Sequence, residues 1–249
     1  MIKSIVIIGA MDLEVNVLKH YIQTYKVEDS GNARIYYGKV NGVSVYLIRS
    51  MIGMVNCAHA ATIAIERFNP DILILQGTAG AHTGELNIGD IVLGETIIEI
   101  GSFYTSKMKE SEGTNYRLWD FPGVEMSGND DSIERVRKFH SDEKLMSMAQ
   151  SISNPQFKVK KGIIGSSDIW NKELDYINYL HNEYGTYCEE MEGFSFAQIC
   201  TEYKKTFIVI RSISNSEMKG IDFNTDICAI TQEFTIKFIE KIVKEEDIQ

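Results

Sequence analysis

The chain reads as an α/β protein, a three-layer sandwich in which a central mixed β-sheet is flanked by helices. Three observations predict this. Short β-branched runs alternate along the chain with segments of helical period. Of the 249 residues, 44% are apolar, enough for a sizeable core. No break in composition divides the chain, so residues 1–249 are expected to form a single domain.

The elements follow in order. Ser4 to Ile8 is a β-branched run closed by Gly9, and Met11 to Tyr21 carries Leu13, Val17, Leu18 and Tyr21 at helical spacing. Ile35 to Val40 and Val43 to Ile48 flank Asn41-Gly42, the dipeptide of a tight hairpin turn. Met54 to Phe68 is helical and stops before Pro70, and Ile72 to Leu75 is a second buried strand. Further strands are expected at Ile91 to Ile100, Val159 to Ile164, Tyr187 to Glu190 and Thr206 to Ile210. Helices are expected at Glu173 to Glu183, Met191 to Tyr203 and Thr225 to Glu245, the last turning Ile236, Ile239, Ile242 and Val243 inward. Residues 101–140 are polar, rich in Gly and Ser and without sustained period, so they read as a long loop with one short helix at its end. Loops of that length act as lids or are disordered, and Tyr104, Tyr116, Trp119 and Phe121 favour the lid.

Composition excludes several classes. A net charge of −10 argues against a nucleic-acid binder, which needs a basic surface. The apolar run that opens the chain is too short for a signal peptide, and no run approaches a membrane span, so a soluble cytoplasmic protein is expected. Cys57, Cys188, Cys200 and Cys228 form no paired motif with metal-ligand spacing; reduced thiols, no structural zinc and no metal or other cofactor are expected.

Four stretches carry candidate chemistry. Gly77, Thr78, Ala79 and Gly80 follow a buried strand, where small residues either admit a ligand or simply make a turn. Glu14 lies on the first turn of a helix, facing a cleft or stabilising the helix start. In "YCEEMEG" three carboxylates crowd within four residues; a solvated helix start accounts for Glu189, and at least one of Glu190 and Glu192 is expected to point into a site. In "FIVIRSISNSEMKG" an apolar strand turns abruptly polar, placing Ser214 and Asn215 where the loops of an α/β sheet carry chemistry.

Taken in order, "IIGAMDLEV", "SMIGMVNCAHAATIAIERFNPDILILQGTAGA", "LNIGDIV", "GIIGSSDIWN", "EEMEG" and "VIRSISN" resemble the 5′-methylthioadenosine/S-adenosylhomocysteine nucleosidases of the purine nucleoside phosphorylase superfamily. The match spans nearly the whole chain and leaves out a divergent insertion at about 101–140. The resemblance implies a nucleoside phosphorylase-like fold, a homodimer whose neighbour helps wall the 5′ pocket, and hydrolysis of a purine ribonucleoside through an oxocarbenium-like transition state. It assigns Glu14 to the attacking water, Glu192 to the ribose hydroxyls, Met191 and Thr78 to the sugar, and Trp170 to stacking on the base. Met11, Ile52, Ala79, Gly80 and Asn171 complete the base and 5′ pocket on the same ground.

One residue departs from the pattern. Asn215 stands where relatives acting on adenine nucleosides carry a general-acid aspartate beside a serine, here Ser214. An amide cannot supply that proton, but it donates and accepts hydrogen bonds in a way that suits a 6-oxopurine nucleoside such as futalosine or inosine. The motifs around Glu14 and Gly77 bring no arginine to collect phosphate, which favours hydrolysis over a purine nucleoside phosphorylase; a catalytically impaired nucleoside-binding relative is the remaining alternative.

Overall fold

A ten-stranded mixed sheet organises the chain in the computed structural model, which describes residues 2–128, 132–153 and 156–246. Its strands are β1 (Ser4–Gly9), β2 (Lys26–Ser30), β3 (Ala33–Val40), β4 (Val43–Arg49), β5 (Ile72–Ala81), β6 (Ile91–Glu99), β9 (Lys138–His140), β10 (Val159–Ser166), β11 (Thr186–Glu190) and β12 (Thr206–Asn215). The main order is β11-β10-β6-β12-β5-β1-β4-β3-β2, with β9 paired to β6. The helices are α1 (Asp12–Tyr21), α2 (Met54–Phe68), α3 (Glu143–Gln150), α4 (Leu174–Tyr184), α5 (Gly193–Glu202) and α6 (Ile227–Glu246).

The central strands begin as continuous apolar runs because both of their faces are covered. Side chains alternate across β1, so Ile5 and Ile7 enter one core while Val6 and Ile8 enter the other. The first core is roofed by Val15 and Leu18 of α1, Leu145 and Met146 of α3, and Phe234, Phe238 and Ile239 of α6. Cys57, Ala60 and Ala64 of α2 and Phe194, Phe196 and Ala197 of α5 cover the second. This is the expected layering of helices on a mixed sheet. Ile239, Ile242 and Val243 are buried as expected, whereas Ile236 is only half-buried. Asn41 (φ 46°) and Gly42 (φ 87°) both take the left-handed conformation at the hairpin turn, which is why that dipeptide was a reliable signal.

Three differences from the sequence-based expectation bear on function. First, β5 runs on through Gly77 and Gly80 to Ala81, and β12 runs on through Ser214 to Asn215, so both motifs expected in loops are strand. The polar side chains could stay in the sheet because the ladder continues: β11 pairs antiparallel with β5 at Ala81 and Gly80, which also closes β5, β12, β6, β10 and β11 into a ring. Second, β2 and the helix α3 went unpredicted, β2 because Lys26–Ser30 is polar and half-exposed at the sheet edge.

Third, residues 101–140, apart from 129–131, which lie outside the described residues, are neither a bare loop nor a cover for the cleft. They form a 3₁₀ turn at Tyr116–Leu118, a hairpin of β7 (Val124–Ser127) and β8 (Ile133–Val136), and β9. Their aromatic residues explain the order. Tyr116 packs on Tyr176 and Tyr179 of α4 at 5.0 Å between ring centroids, and Phe121 packs on Phe194 of α5. Among the described residues no helix is long and apolar enough to cross a membrane, and all four cysteines are free and buried.

Candidate active site

At the carboxyl ends of β1, β5, β11 and β12 the sheet opens into a cleft of about 700 Å³. Of the residues singled out from the sequence, Met11, Glu14, Ile52, Thr78, Ala79, Gly80, Trp170, Met191, Glu192, Ser214 and Asn215 all line it. Asn171 does not. It is buried beside the cleft, where its backbone N–H and side-chain Nδ2 both donate to Glu189. Sequence reasoning missed Ala10, Ile169 and Phe223, and for Phe223 there was no signal, since it lies beyond the strand in an irregular segment.

Glu14 is buried and held by donors alone. Its Oε2 accepts from the backbone N–H groups of Ala10 (2.9 Å) and Met11 (3.1 Å), and its Oε1 accepts from Thr78 N (3.0 Å) and Thr78 Oγ1 (3.2 Å). Three of these donors are backbone and fixed; the threonine hydroxyl is the one that can rotate away and free a lone pair. Thr78 thus sits on the Glu14 carboxylate.

Beneath the cleft floor lies Arg211, 1% exposed and unforeseen as a site residue. Its Nη2 donates to Glu190 Oε2 and, at 3.2 Å, to Glu192 Oε2. Gly77 makes room for it: a methyl group there would run into the guanidinium and lie 2.7 Å from Glu14 Oε1. Glu190 also accepts from the N–H groups of Glu192 (3.0 Å) and Gly193 (2.8 Å) at the start of α5, a favourable place for a carboxylate. Burial works against the Arg211 charge, but Glu190, Glu192 and Glu14 more than offset it and hold the guanidinium protonated above its usual range. Burial likewise pushes Glu192 up to about 7, against the pull of Arg211 and with Glu190 and Glu14 adding to the rise.

The turn before α2 reaches the same carboxylate. Gly53, at φ 103°, donates its N–H to Glu192 Oε1 at 2.9 Å, and the next N–H, of Met54, donates to Asp168 Oδ1 at 2.9 Å. Asp168 stands two residues before Trp170, so these bonds tie the Ile52 wall to the Trp170 wall. Trp170 is 50% exposed, meets Phe223 edge-on at 6.0 Å and carries Lys172 Nζ over its ring at 5.7 Å from the centroid.

At the opposite end, a bulge between Ile213 and Asn215 re-aims the close of β12 and brings Asn215 into register with Gly80. The Ser214 hydroxyl lies 2.9 Å from Asn215 Oδ1 and 3.2 Å from the carbonyl oxygen of Ala79. The one hydroxyl hydrogen goes to either acceptor, with Asn215 Oδ1 the nearer, and among the described residues no acceptor takes up Asn215 Nδ2. Glu189, expected at a solvated helix start, is instead 7% exposed on β11 and lines the cleft.

The lining holds four carboxylates, Glu14, Glu189, Glu190 and Glu192, and no lysine, arginine or histidine. Arg49, the other arginine near the rim, is turned to Asp12 at 3.6 Å and to Met51 Sδ. Such a site is built for a ligand that becomes positive.

A profile of the phosphorylase superfamily matches residues 4–244. The 5′-methylthioadenosine/S-adenosylhomocysteine nucleosidase of Anoxybacillus flavithermus is 30% identical over 215 residues, 85% of each chain. Among solved structures, the nucleosidase of that name from Neisseria meningitidis in complex with methylthio-immucillin-A superposes with a TM-score of 0.77 at 24% identity, covering 95% of this chain and 98% of the other. The futalosine hydrolase of Helicobacter pylori superposes with a TM-score of 0.75 at 22% identity, covering 98% and 99%. The chain belongs to the phosphorylase superfamily and, within it, to the family of 5′-methylthioadenosine/S-adenosylhomocysteine nucleosidases.

Proposed function

We propose that the cleft hydrolyses the N-glycosidic bond of a purine ribonucleoside. The observation that carries this reading is the lining itself, several carboxylates with no facing cation. As the bond to the base breaks, the ribose takes on positive charge, and fixed carboxylates around it stabilise that state more than the neutral substrate. The same carboxylates repel phosphate, and Arg211, already bound by Glu190 and Glu192, is not free to collect it. Water is therefore the nucleophile.

Within that reading Glu14 orients the water, taking it up when the Thr78 hydroxyl swings away. Glu192 grips the ribose hydroxyls above Met191, and Trp170 with Phe223 encloses the base. Asn215 cannot protonate the departing base, but its Nδ2 can donate to it as negative charge builds there. Ser214 holds the amide in that orientation. An N–H aimed at the base suits the carbonyl oxygen of a 6-oxopurine better than the amino group of adenine, which places futalosine- or inosine-like nucleosides ahead of methylthioadenosine.

Incubation of the purified protein with inosine, futalosine, methylthioadenosine and adenosylhomocysteine, with and without phosphate, tests the reading. The expected products are free base and free sugar, at a rate indifferent to phosphate. Ribosyl 1-phosphate formed only with phosphate would make the protein a phosphorylase, and binding without any turnover would make it a nucleoside-binding relative.

We also propose that the working unit is a cytoplasmic homodimer. Val55, 80% exposed on the first turn of α2, adjoins Ile52, and Ile169 and Leu174 flank Trp170 at the open side of the cleft. A second copy covering these apolar side chains would wall the 5′ end of the pocket. Light scattering on the purified chain should give twice the mass of one chain.

A further inference from the structure

On the side of the sheet covered by α1 and α6, an otherwise apolar layer holds a group of polar side chains that hydrolysis as set out above does not use. Gln76 of β5, Ser212 of β12 and Thr231, Gln232 and Thr235 of α6 are all fully buried. Polar groups in such a layer are costly unless they bond, and these bond to backbone. Two of them, Gln76 and Gln232, bond to the turn of α1 that carries Glu14.

Gln232 Nε2 donates to the carbonyl oxygen of Leu13 at 2.8 Å, and its Oε1 accepts from Val17 N at 2.8 Å and Leu18 N at 3.2 Å. The Leu13 carbonyl and the Val17 N–H are the two ends of one i to i+4 step of the helix, so a side-chain amide from α6 spans that step from outside. Gln76 Nε2 donates to the next carbonyl oxygen, that of Glu14, at 2.7 Å. Gly9 makes room for this bond: a Cβ there would lie 2.6 Å from Gln76 Nε2 and 3.3 Å from the Glu14 Cβ. Gln76 Oε1 meets no donor among the described residues, so the bonding of this amide is directed at the Glu14 backbone.

Glu14 bridges two elements. Its carboxylate takes donors from Ala10 and Met11, at the start of α1, and from Thr78 of β5, so its placement depends on the spacing of α1 and β5. Gln76 crosses the same gap in the opposite direction, from β5 to the Glu14 backbone. Consecutive residues of α6 hold both sides. Thr231 Oγ1 lies 3.3 Å from the carbonyl oxygen of Gly77, between Gln76 and Thr78, while Gln232 holds α1. Backbone donors cannot be deleted by substitution, but they move with the turn that carries them. We propose that Gln76 and Gln232 are positioning residues for Glu14, fixing its turn of α1 against β5 so that the carboxylate stays aligned on the attacking water. This rests on the reading of the cleft as hydrolytic and adds to it what sets the geometry of the water site.

The kinetics of Gln76→Met and Gln232→Met test this, since methionine fills similar space and removes the amide. On whichever of inosine, futalosine, methylthioadenosine and adenosylhomocysteine the parent cleaves fastest, kcat should fall about 10- to 100-fold, the loss that a misplacement of about 1 Å brings, while KM stays within about twofold. In a Glu14→Gln background, followed in single turnover, neither substitution should lower the rate further, because both act through the Glu14 carboxylate. The same loss in both backgrounds, rates equal to those of the parent, or a change confined to KM would overturn the assignment and leave hydrolysis standing. Loss of the fold in both variants, seen by circular dichroism, would make the amides supports of the core and overturn it as well. A parent that cleaves none of the four nucleosides would remove the functional reading and this inference together.

Discussion

The two ends of the cleft are built in different ways. At the ribose end, Glu14 and Glu190 are held chiefly by backbone N–H groups, and Glu190 and Glu192 share one buried arginine. At the base end, Glu189, Asn171, His82, Ser214 and Asn215 are held mainly by one another's side chains. Backbone donors cannot be changed by substitution, so the ribose end is rigid chemistry tied to the fold. Side-chain networks can be altered a residue at a time, so the base end is where a new substrate can be chosen without rebuilding the sheet.

The contrast breaks most visibly at Arg211. Arg211→Leu strands two buried carboxylates and should cost about 3–5 kcal/mol in urea denaturation, with loss of activity. A cost below about 1 kcal/mol would mean that Glu190 and Glu192 do not depend on the arginine, and the rigid end would not be rigid.

Glu192→Gln should spare the fold and lower kcat/KM by about 100-fold or more, as the removal of a group facing transition-state charge does. The parent should also show one ionisation near pH 7 in kcat/KM: Glu192, raised to about 7 by burial, grips ribose as the carboxylate, so activity rises with pH up to that value and levels off above it. The variant should lack that step. Kinetics within a few-fold of the parent would count against Glu192 as the ribose ligand.

Asn215→Asp probes the adaptable end. It should reverse the order of inosine-type and adenine-type nucleosides, a swing of roughly 10- to 100-fold, because a protonated aspartate can donate to the ring nitrogen of adenine while an ionised one opposes a carbonyl oxygen. If the parent already prefers methylthioadenosine and the substitution changes little, the base end does not select as described. The smallest effect belongs outside the cleft. Tyr116→Ala removes an aromatic contact worth about 0.5–1.5 kcal/mol of stability and should leave KM unchanged, since the segment packs on α4 and not over the ligand. An altered KM would restore the lid expected from sequence.

Local pattern alone determined a great deal. Apolar runs and helical periods marked most elements to within a few residues, Asn41-Gly42 marked its hairpin, and the short motifs, through their resemblance to a family, named most of the residues that line the cleft but not Ala10, Ile169, Glu189 or Phe223. These are features a segment carries by itself, because periodicity and turn preference act over a few neighbouring residues. What only the tertiary structure decided depends on partners far along the chain. Arg211 reads as an ordinary residue in a strand until Gly77 leaves space for it and Glu190 and Glu192 close on it. Glu189 reads as a solvated carboxylate until β11 folds onto β5 and sets it beside Gly80, with His82 and Asn171 against it. Burial turns a charge from a surface ornament into a group that must be paired, and burial is a property of the assembled sheet, which no local pattern encodes.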